Sequence, residues 1–186
     1  MKKNMNKISL SGLVGSGKSS IGKQLAQILN YEFISVGNFS RKIAQEKYGM
    51  NINEFQKYCE KNPQIDHEID TYFTQYCLKN THLIIDYRLA FYFITDAFHV
   101  FLKVSDEMAF QRLKDHNDEQ RILEFGNQKM NVFHMIKQRN EDMKNRFLKT
   151  YQTDFTDESH YHLVIDTDHL NPNQICDLIL KKFGNL

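Results

Sequence analysis

The stretch KISLSGLVGSGKSS occupies residues 7–20 and joins an alternating apolar segment to three glycines, a lysine and serines. It fits the pattern G-x-x-x-x-G-K-[ST], whose fixed positions are filled by Gly12, Gly17, Lys18 and Ser19. Glycines allow the backbone to fold around an anion with its amide hydrogens pointing inward, and the helix that follows offers the positive end of its dipole. In this pattern the lysine reaches the β- and γ-phosphates and the serine hydroxyl ligates Mg²⁺. The stretch therefore predicts a phosphate-binding loop rather than an ordinary glycine-rich turn.

Short apolar strands alternate with helical segments along the rest of the chain. Apolar runs predict strands over residues 7–11, 32–36, 82–86, 98–104 and 161–166. Helical spacing predicts helices over 19–29, on both sides of Gly49, from Pro63 to about 79, from 106 to 116, over 128–150 and over 171–183. Such alternation predicts an α/β fold with a five-stranded parallel sheet, flanking helices and right-handed crossovers. With the phosphate-binding loop, this is the architecture of a P-loop NTPase.

Length and composition limit the classes of protein that the chain can represent. Its 186 residues predict a single domain over 1–186, and its net charge of +1 gives no general attraction to nucleic acid or to a membrane. No apolar run approaches the ~20 residues that cross a bilayer, and the N-terminus MKKNMNKISL has no apolar signal core. Three distant cysteines fit reduced thiols better than disulfides. We therefore expect a cytoplasmic monomer that binds small molecules and no nucleic acid.

Arginine is rare in this chain, with six residues against eighteen lysines. Arginine differs from lysine by its planar fork, which binds phosphate through two hydrogen bonds. Arg139 and Arg146 are seven residues apart and would lie two turns along one face of a helix. Transfer of a phosphoryl group requires several cations around the moving group, since positioning and charge neutralisation do most of the catalysis. The loop and the arginines together favour phosphoryl transfer between two small molecules over a hydrolytic switch or a motor.

The sequence also resembles a known family, the type-2 (short) cytidylate kinases, a branch of the nucleoside monophosphate kinases. The likeness covers nearly the whole chain and is carried by ISLSGLVGSGKSS, FISVGNFSRKIAQEKYGMNINEFQKYCEKNPQIDHEID, LIIDYRLA, RNEDMKNRFLKTYQTDF and LVIDTDHLNPNQI. The loop occurs in many ATPases, whereas NPQIDHEID and YQTDF are more specific. The resemblance implies ATP- and Mg²⁺-dependent phosphorylation of CMP or dCMP to CDP or dCDP, with no covalent enzyme intermediate.

The resemblance also implies a role for each site residue. It assigns a small acceptor-binding helical region to about 37–80 and a lid to about 112–150. The residues that it implies for ATP are Gly12, Leu13, Val14, Gly15, Ser16, Gly17, Lys18, Ser19, Ser20 and Arg112, with Ser19 also holding the metal. Those implied for the acceptor are Gly37, Arg41, Asp86 and Arg88. Those implied for catalysis are Lys18, Arg88, Arg139 and Arg146. Residues around the segment DTDHL would shape the adenine pocket.

Three positions depart from the pattern of the family. Tyr87 stands where the family has glycine, and its ring could stack on a base or narrow the acceptor site. His116 replaces a second arginine, for which Arg121 could compensate. Met143 replaces an acid that could accept from the cytosine amino group, so we expect weaker discrimination against UMP.

Two alternatives to a cytidylate kinase follow from these departures. One is a P-loop kinase of another nucleotide or of a small metabolic alcohol, and the other is a nucleotide-binding regulatory protein without turnover. A nucleic-acid-binding module is disfavoured, since no basic stripe interleaves the aromatic residues. A coupled ADP-release assay separates an enzyme from a regulatory protein.

Overall fold

The computed structural model describes residues 5–115 and 129–185, and these contain a five-stranded sheet in which every paired neighbour is parallel. The strands are β1 (Lys7–Gly12), β2 (Glu32–Ser35), β3 (Leu83–Asp86), β4 (Phe98–Lys103) and β5 (Leu163–Asp166), in the spatial order β2-β3-β1-β4-β5. Because the strands are parallel, their carboxyl ends all lie at one edge of the sheet. Strand β1 is the central strand. The predicted parallel α/β fold is confirmed.

The helices of the described residues connect the strands and cover both faces of the sheet. They are α1 (Lys18–Leu29), α2 (Val36–Tyr48), α3 (Ile52–Lys61), α4 (Pro63–Lys79), α5 (Ala90–Phe93), α6 (Asp106–Asp115), α7 (Lys129–Tyr151) and α8 (Pro172–Phe183), with a short 3₁₀ helix at Glu158–His160. Within these residues, no helix combines the length and the apolar character that a membrane span requires.

Alternate residues of the central strands feed two separate apolar cores, as the pleat of a strand requires. Ile84 and Val100 pack with α1 and α8 on one face of the sheet. Ile85 and Phe101 pack with α4, α5 and α7 on the other face. Because both faces are covered, β1 is buried along its whole length. The sheet therefore holds the loop after β1 on a rigid support.

Helices α2, α3 and α4 share a further apolar cluster of their own, which includes Ala44, Phe55 and Ile69. Helix α3 begins with a capping box between Asn51 and Glu54. This cluster lies within the predicted acceptor-binding region of about 37–80.

The structure differs from the sequence-based expectation at two places. The sequence predicted a strand over 32–36, but β2 ends at Ser35, whose side chain accepts a hydrogen bond from the Asn38 amide, and α2 begins at Val36. Gly37 therefore lies in the first turn of α2. The short helix α5 was not predicted, since four apolar residues without caps carry no helical periodicity.

Candidate active site

The loop between β1 and α1 adopts a conformation that depends on its glycines. Gly15 and Gly17 have φ angles of 81° and 85°, in the left-handed region that side chains disfavour. A Cβ added to Gly15 would lie 2.7 Å from the Cβ of Ala109 on α6. The loop therefore lies tightly between α6 and the start of α1, at the carboxyl edge of the sheet. Ligands of open α/β sheets bind at this edge.

Lys18 crosses the loop instead of extending into solvent. Its Nζ donates to the carbonyl oxygens of Gly12 at 2.9 Å and Leu13 at 2.7 Å, and to the Ser16 hydroxyl at 3.1 Å. The residue is only 8% exposed. Oxygen atoms of the loop thus hold the ammonium group close to the loop backbone.

An oxygen pair lies beside the loop at the ends of two neighbouring strands. The Ser19 hydroxyl donates to Oδ2 of Asp86 at 2.6 Å, because the pairing of Leu10 with Asp86 brings the end of β3 next to the loop. Hydroxyl and carboxylate oxygens are ligands that suit Mg²⁺, which usually takes one or two protein oxygens besides phosphate and water. These two residues fit the predicted metal position.

Arg88 follows β3 and is anchored at both its side chain and its backbone. Its Nε donates to the Gly12 carbonyl at 3.1 Å, and its own carbonyl accepts from the Ser11 hydroxyl at 3.2 Å. Tyr161 in turn donates to the Ser11 hydroxyl at 3.0 Å. Burial lowers the pKa of Arg88 to about 10, against the opposing effect of Asp86. The guanidinium therefore remains charged near neutral pH, with its fork fixed in direction.

A cavity of about 220 Å³ opens between the loop, α2, α4 and α7. It brings together most of the predicted site residues, although they come from distant parts of the sequence. Those that line it are Val14, Gly15, Gly17, Lys18, Ser19, Gly37, Arg41, Asp86, Arg88, Arg139 and Arg146. The pairing of Arg139 with Arg146 on one face of a helix, predicted from their spacing, holds for α7.

Five other predicted site residues do not line this cavity. Gly12, Leu13 and Ser16 instead hold the Lys18 ammonium. Ser20 is exposed on α1. Arg112 lies on α6 and donates to the hydroxyl of Thr167 at 2.9 Å and to the Thr167 carbonyl. Thr167 belongs to the DTDHL segment, so the two parts of the predicted adenine pocket are in contact.

The side of the cavity formed by α4 holds a cluster that the sequence did not predict. The carboxylate of Asp70 on α4 accepts from the Tyr87 hydroxyl at 2.8 Å and from the Tyr151 hydroxyl. Burial raises the pKa of Asp70, and the two phenol hydrogen bonds oppose that rise. On the same helix, Oδ2 of Asp66 lies 3.4 Å from Nη1 of Arg146. The NPQIDHEID segment contained these acids, but nothing in the sequence indicated their partners.

Two of the residues that depart from the family pattern contribute to the walls of the cavity. The Tyr87 ring is 3% exposed and packs against Phe73 and Phe93, with ring centroids 5.3 and 6.0 Å away. Met143 is partly buried among apolar residues of two clusters. His116 and Arg121 lie outside the described residues.

Helix α7 also contacts the phosphate-binding loop directly. The Oδ1 atom of Asn140 accepts a hydrogen bond from the Val14 amide at 3.0 Å. Asn140 follows Arg139, so this bond positions the first of the two cavity arginines of α7 beside the loop.

Comparison with known proteins shows the family to which this chain belongs. The model of the cytidylate kinase-like family matches residues 7–169, which include the loop, the cavity arginines and the first four residues of the DTDHL segment. The chain belongs to the cytidylate kinase-like family. The predicted family is thereby confirmed.

Two curated relatives show how far the similarity extends. The chain is 30% identical over 174 residues to the cytidylate kinase of Methanospirillum hungatei, and the match covers 93% of both chains. It is 48% identical over 177 residues to an S-adenosylmethionine-dependent nucleotide dehydratase of Lacinutrix mariniflava. That match covers 95% of this chain but spans only 36% of the length of the dehydratase.

Solved structures support the fold at low sequence identity. Shikimate kinase from Bacteroides thetaiotaomicron aligns with a TM-score of 0.66 at 18% identity, covering 96% of this chain and 98% of that one. Shikimate kinase from Acinetobacter baumannii aligns with a TM-score of 0.62 at 20% identity, over 98% and 95% of the two chains. The chain therefore has the fold of P-loop kinases, and its membership of the cytidylate kinase-like family supports a kinase.

Proposed function

We propose that this protein transfers the γ-phosphoryl group of ATP to a nucleoside monophosphate, with CMP and dCMP as preferred acceptors. One observation carries the proposal: Lys18 and four arginines, from α2, the end of β3 and α7, converge on one cavity beside a phosphate-binding loop. These arginines are Arg41, Arg88, Arg139 and Arg146. A binding protein for a single nucleotide would need cations on one side of the phosphates only, whereas transfer between two phosphate-bearing molecules needs them around both.

The positions of these residues suggest a division of labour. The loop amides and Lys18 hold the β- and γ-phosphates of ATP, and Arg112 with Thr167 borders the adenine site. Arg41 and Arg88 hold the phosphate of the acceptor monophosphate, and Gly37 lies beside Arg41. Arg139 and Arg146 neutralise the charge of the phosphoryl group in the transition state of the transfer.

The reaction needs no base from the protein. An acceptor phosphate oxygen is already ionised at neutral pH, so it attacks the γ-phosphorus while the bond to the β–γ bridging oxygen breaks. The products are ADP and a nucleoside diphosphate. Ser19 and Asp86 would hold Mg²⁺, which supplies charge neutralisation between the β- and γ-phosphates when it is bound.

The names of the relatives support a nucleotide as the acceptor. Several curated relatives that match along most of their length are cytidylate kinases, and the dehydratase at 48% identity is also named for a nucleotide substrate. Shikimate kinases share the fold at 18–20% identity, which supports the fold alone. A small alcohol as acceptor is therefore the second candidate, and a regulatory protein without turnover is the third. The monomeric state and the cytoplasmic location stay predictions.

The proposal is tested by an ADP-release assay with ATP and Mg²⁺ against CMP, dCMP, UMP, AMP, GMP, dTMP and shikimate. We expect the highest kcat/KM for CMP and dCMP. Turnover of AMP or shikimate without turnover of CMP would refute the cytidylate assignment and leave a P-loop kinase. ATP binding without turnover of any acceptor would favour the regulatory protein.

A further inference from the structure

Three carboxylates line the cavity, and their surroundings separate their roles. They belong to Asp66, Asp70 and Asp86. Asp86 accepts a hydrogen bond from Ser19 beside the phosphate-binding loop, so we assign it to the loop and the metal position. Asp66 and Asp70 are four residues apart on α4 and therefore face the cavity from the same side of that helix. One of these two acids can meet the base of an acceptor.

Both carboxylate oxygens of Asp70 are already engaged by the protein. Its two oxygens each accept a phenol hydrogen bond, one from Tyr87 and one from Tyr151. Breaking these bonds would leave the buried phenol of Tyr87 and the half-buried phenol of Tyr151 without this partner, which is costly for groups shielded from water. Asp70 therefore acts as a brace that ties α4 to the end of β3 and to the end of α7. This brace fixes the position of Asp66, one turn earlier on α4.

Asp66 retains capacity to accept hydrogen bonds. Its side chain is 28% exposed, and Arg146 meets its Oδ2 atom at a long 3.4 Å. An ionised carboxylate offers about four acceptor positions on its two oxygens, so the contact with Arg146 and a hydrogen bond from the Cys59 thiol leave room for a ligand. The charge of Arg146 also acts to lower the pKa of Arg88, so these two arginines are close together. Arg146 therefore lies between Asp66 and the cations at the phosphate-binding loop.

The surroundings of Asp66 suit the flat ring of a base. Apolar side chains from four helices line the same cavity: Val36, Ile52, Ile69, Met143 and Phe147. Pockets for small molecules combine such apolar walls with a few polar groups that fix orientation. Here the polar group at the wall formed by α4 is an acceptor.

We propose that Asp66 reads the acceptor base by accepting a hydrogen bond from its exocyclic amino group. This inference rests on the proposed function and names the residue that would select cytosine within it. Uracil presents a carbonyl oxygen where cytosine presents the amine, so two acceptors would face each other and one would be left unpaired. Site groups left unpaired by the wrong substrate are the basis of strong rejection. The acid that the family places at the position of Met143 is then not required.

The test compares CMP with UMP in the wild-type protein and in Asp66→Asn. The asparagine amide can turn either its oxygen or its nitrogen toward the base, so it accommodates both bases. We expect the wild-type kcat/KM to favour CMP by at least ~10-fold, and this ratio to fall to within ~3-fold of unity in the variant. Loss of the contact between Asp66 and Arg146 would lower kcat/KM for CMP and for UMP alike. The ratio of the two kcat/KM values therefore reports on recognition of the base. Glu68→Gln is the matched control, because Glu68 is an exposed acid of the same helix.

A substrate analogue removes any dependence on the folding of the variant. The monophosphate of 2-pyrimidinone riboside lacks the amino group of CMP, and we expect the wild-type protein to use it at least ~10-fold less well. An unchanged CMP:UMP ratio in Asp66→Asn, or full activity with this analogue, would overturn the inference.

Calorimetry of CMP and UMP binding separates this inference from the proposed function. If the protein turns over no monophosphate but binds CMP in preference to UMP through Asp66, the proposed function fails and the base-reading role stands. If it turns over both pyrimidines equally, the kinase stands and the role of Asp66 fails.

Discussion

Replacing Arg88 with lysine tests the claim that this site requires the arginine fork and not only a charge. Nε of Arg88 donates to the Gly12 carbonyl at 3.1 Å, which leaves both terminal nitrogens of the guanidinium for phosphate. Lysine carries a single ammonium group on a flexible stem. In the variant this group can either bond Gly12 or reach a phosphate oxygen with good geometry, so at least one charge-assisted hydrogen bond is lost.

The size of the effect follows from that loss. Hydrogen bonds to charged groups contribute about 1.5–3 kcal/mol. At about 1.4 kcal/mol for each factor of ten, Arg88→Lys should lower kcat/KM by about 10- to 150-fold. We expect the change mainly in kcat if Arg88 acts on the transferring group, and in KM of the acceptor if it only binds the monophosphate.

The assay is ADP release with CMP as acceptor, at several concentrations of each substrate. The control is Lys137→Arg, an exchange of the same two residue types on the exposed side of α7, where Lys137 pairs with Asp106 at 3.4 Å. Thermal unfolding of both variants establishes that the fold is retained. Wild-type kinetics in Arg88→Lys would show that a point charge suffices and would refute the argument from the scarcity of arginine.

Two further perturbations test the loop and the core. Lys18→Ala should abolish phosphoryl transfer with little change in circular dichroism or thermal unfolding, because the described contacts of the Lys18 ammonium group are to loop oxygens. Turnover near the wild-type level in this variant would contradict the assignment of the loop. His99 bonds Ser9 at 2.7 Å inside the sheet, and burial lowers its pKa from 6.5 to about 4, with a smaller lowering by His162 and an opposing effect of Asp96. Because the unfolded chain binds this proton more tightly, the free energy of unfolding should fall by about 2 kcal/mol between pH 7 and pH 5 on account of His99. Chemical denaturation at both pH values should show this loss in the wild-type protein and in His134→Asn, an exposed histidine of α7, but not in His99→Asn; an equal loss in all three would contradict it.

The parts of the fold that were predicted correctly are those encoded by local patterns. Apolar runs and helical spacing determine strands and helices within a few residues, and the loop from Gly12 to Ser19 has backbone requirements that only a few residue types meet. The arginines of α7 were placed on one face by spacing alone. Position within the sheet follows from general rules for parallel crossovers, so the strand ends and the residues after them could be expected at one edge.

The acceptor end could not be predicted in the same way, because its contacts join residues far apart in sequence. Tyr87 was expected to stack on a base or narrow the site, yet its ring packs in the core and its hydroxyl bonds Asp70. The orientation of a large side chain depends on the space between α4 and α5. A local sequence pattern does not predict that space. The same holds for Tyr151, whose partner is 81 residues away.

The electrostatic arrangement around Gly12 favours the binding of phosphate. Lys18 and Arg88 both donate to the single carbonyl oxygen of this residue, at 2.9 and 3.1 Å, so two cations lie side by side. Arg139 and Arg146 add to this crowding, since both act to lower the pKa of Arg88. These neighbouring cations repel one another in the absence of a ligand. The negative charges of ATP and of an acceptor phosphate would offset that repulsion. The offset would be largest during transfer, when the γ-phosphoryl group and the acceptor phosphate occupy the site together. Binding and catalysis would then draw on the same preorganised charge, with Asp66 and Asp86 as local counterions at the two ends of the cavity.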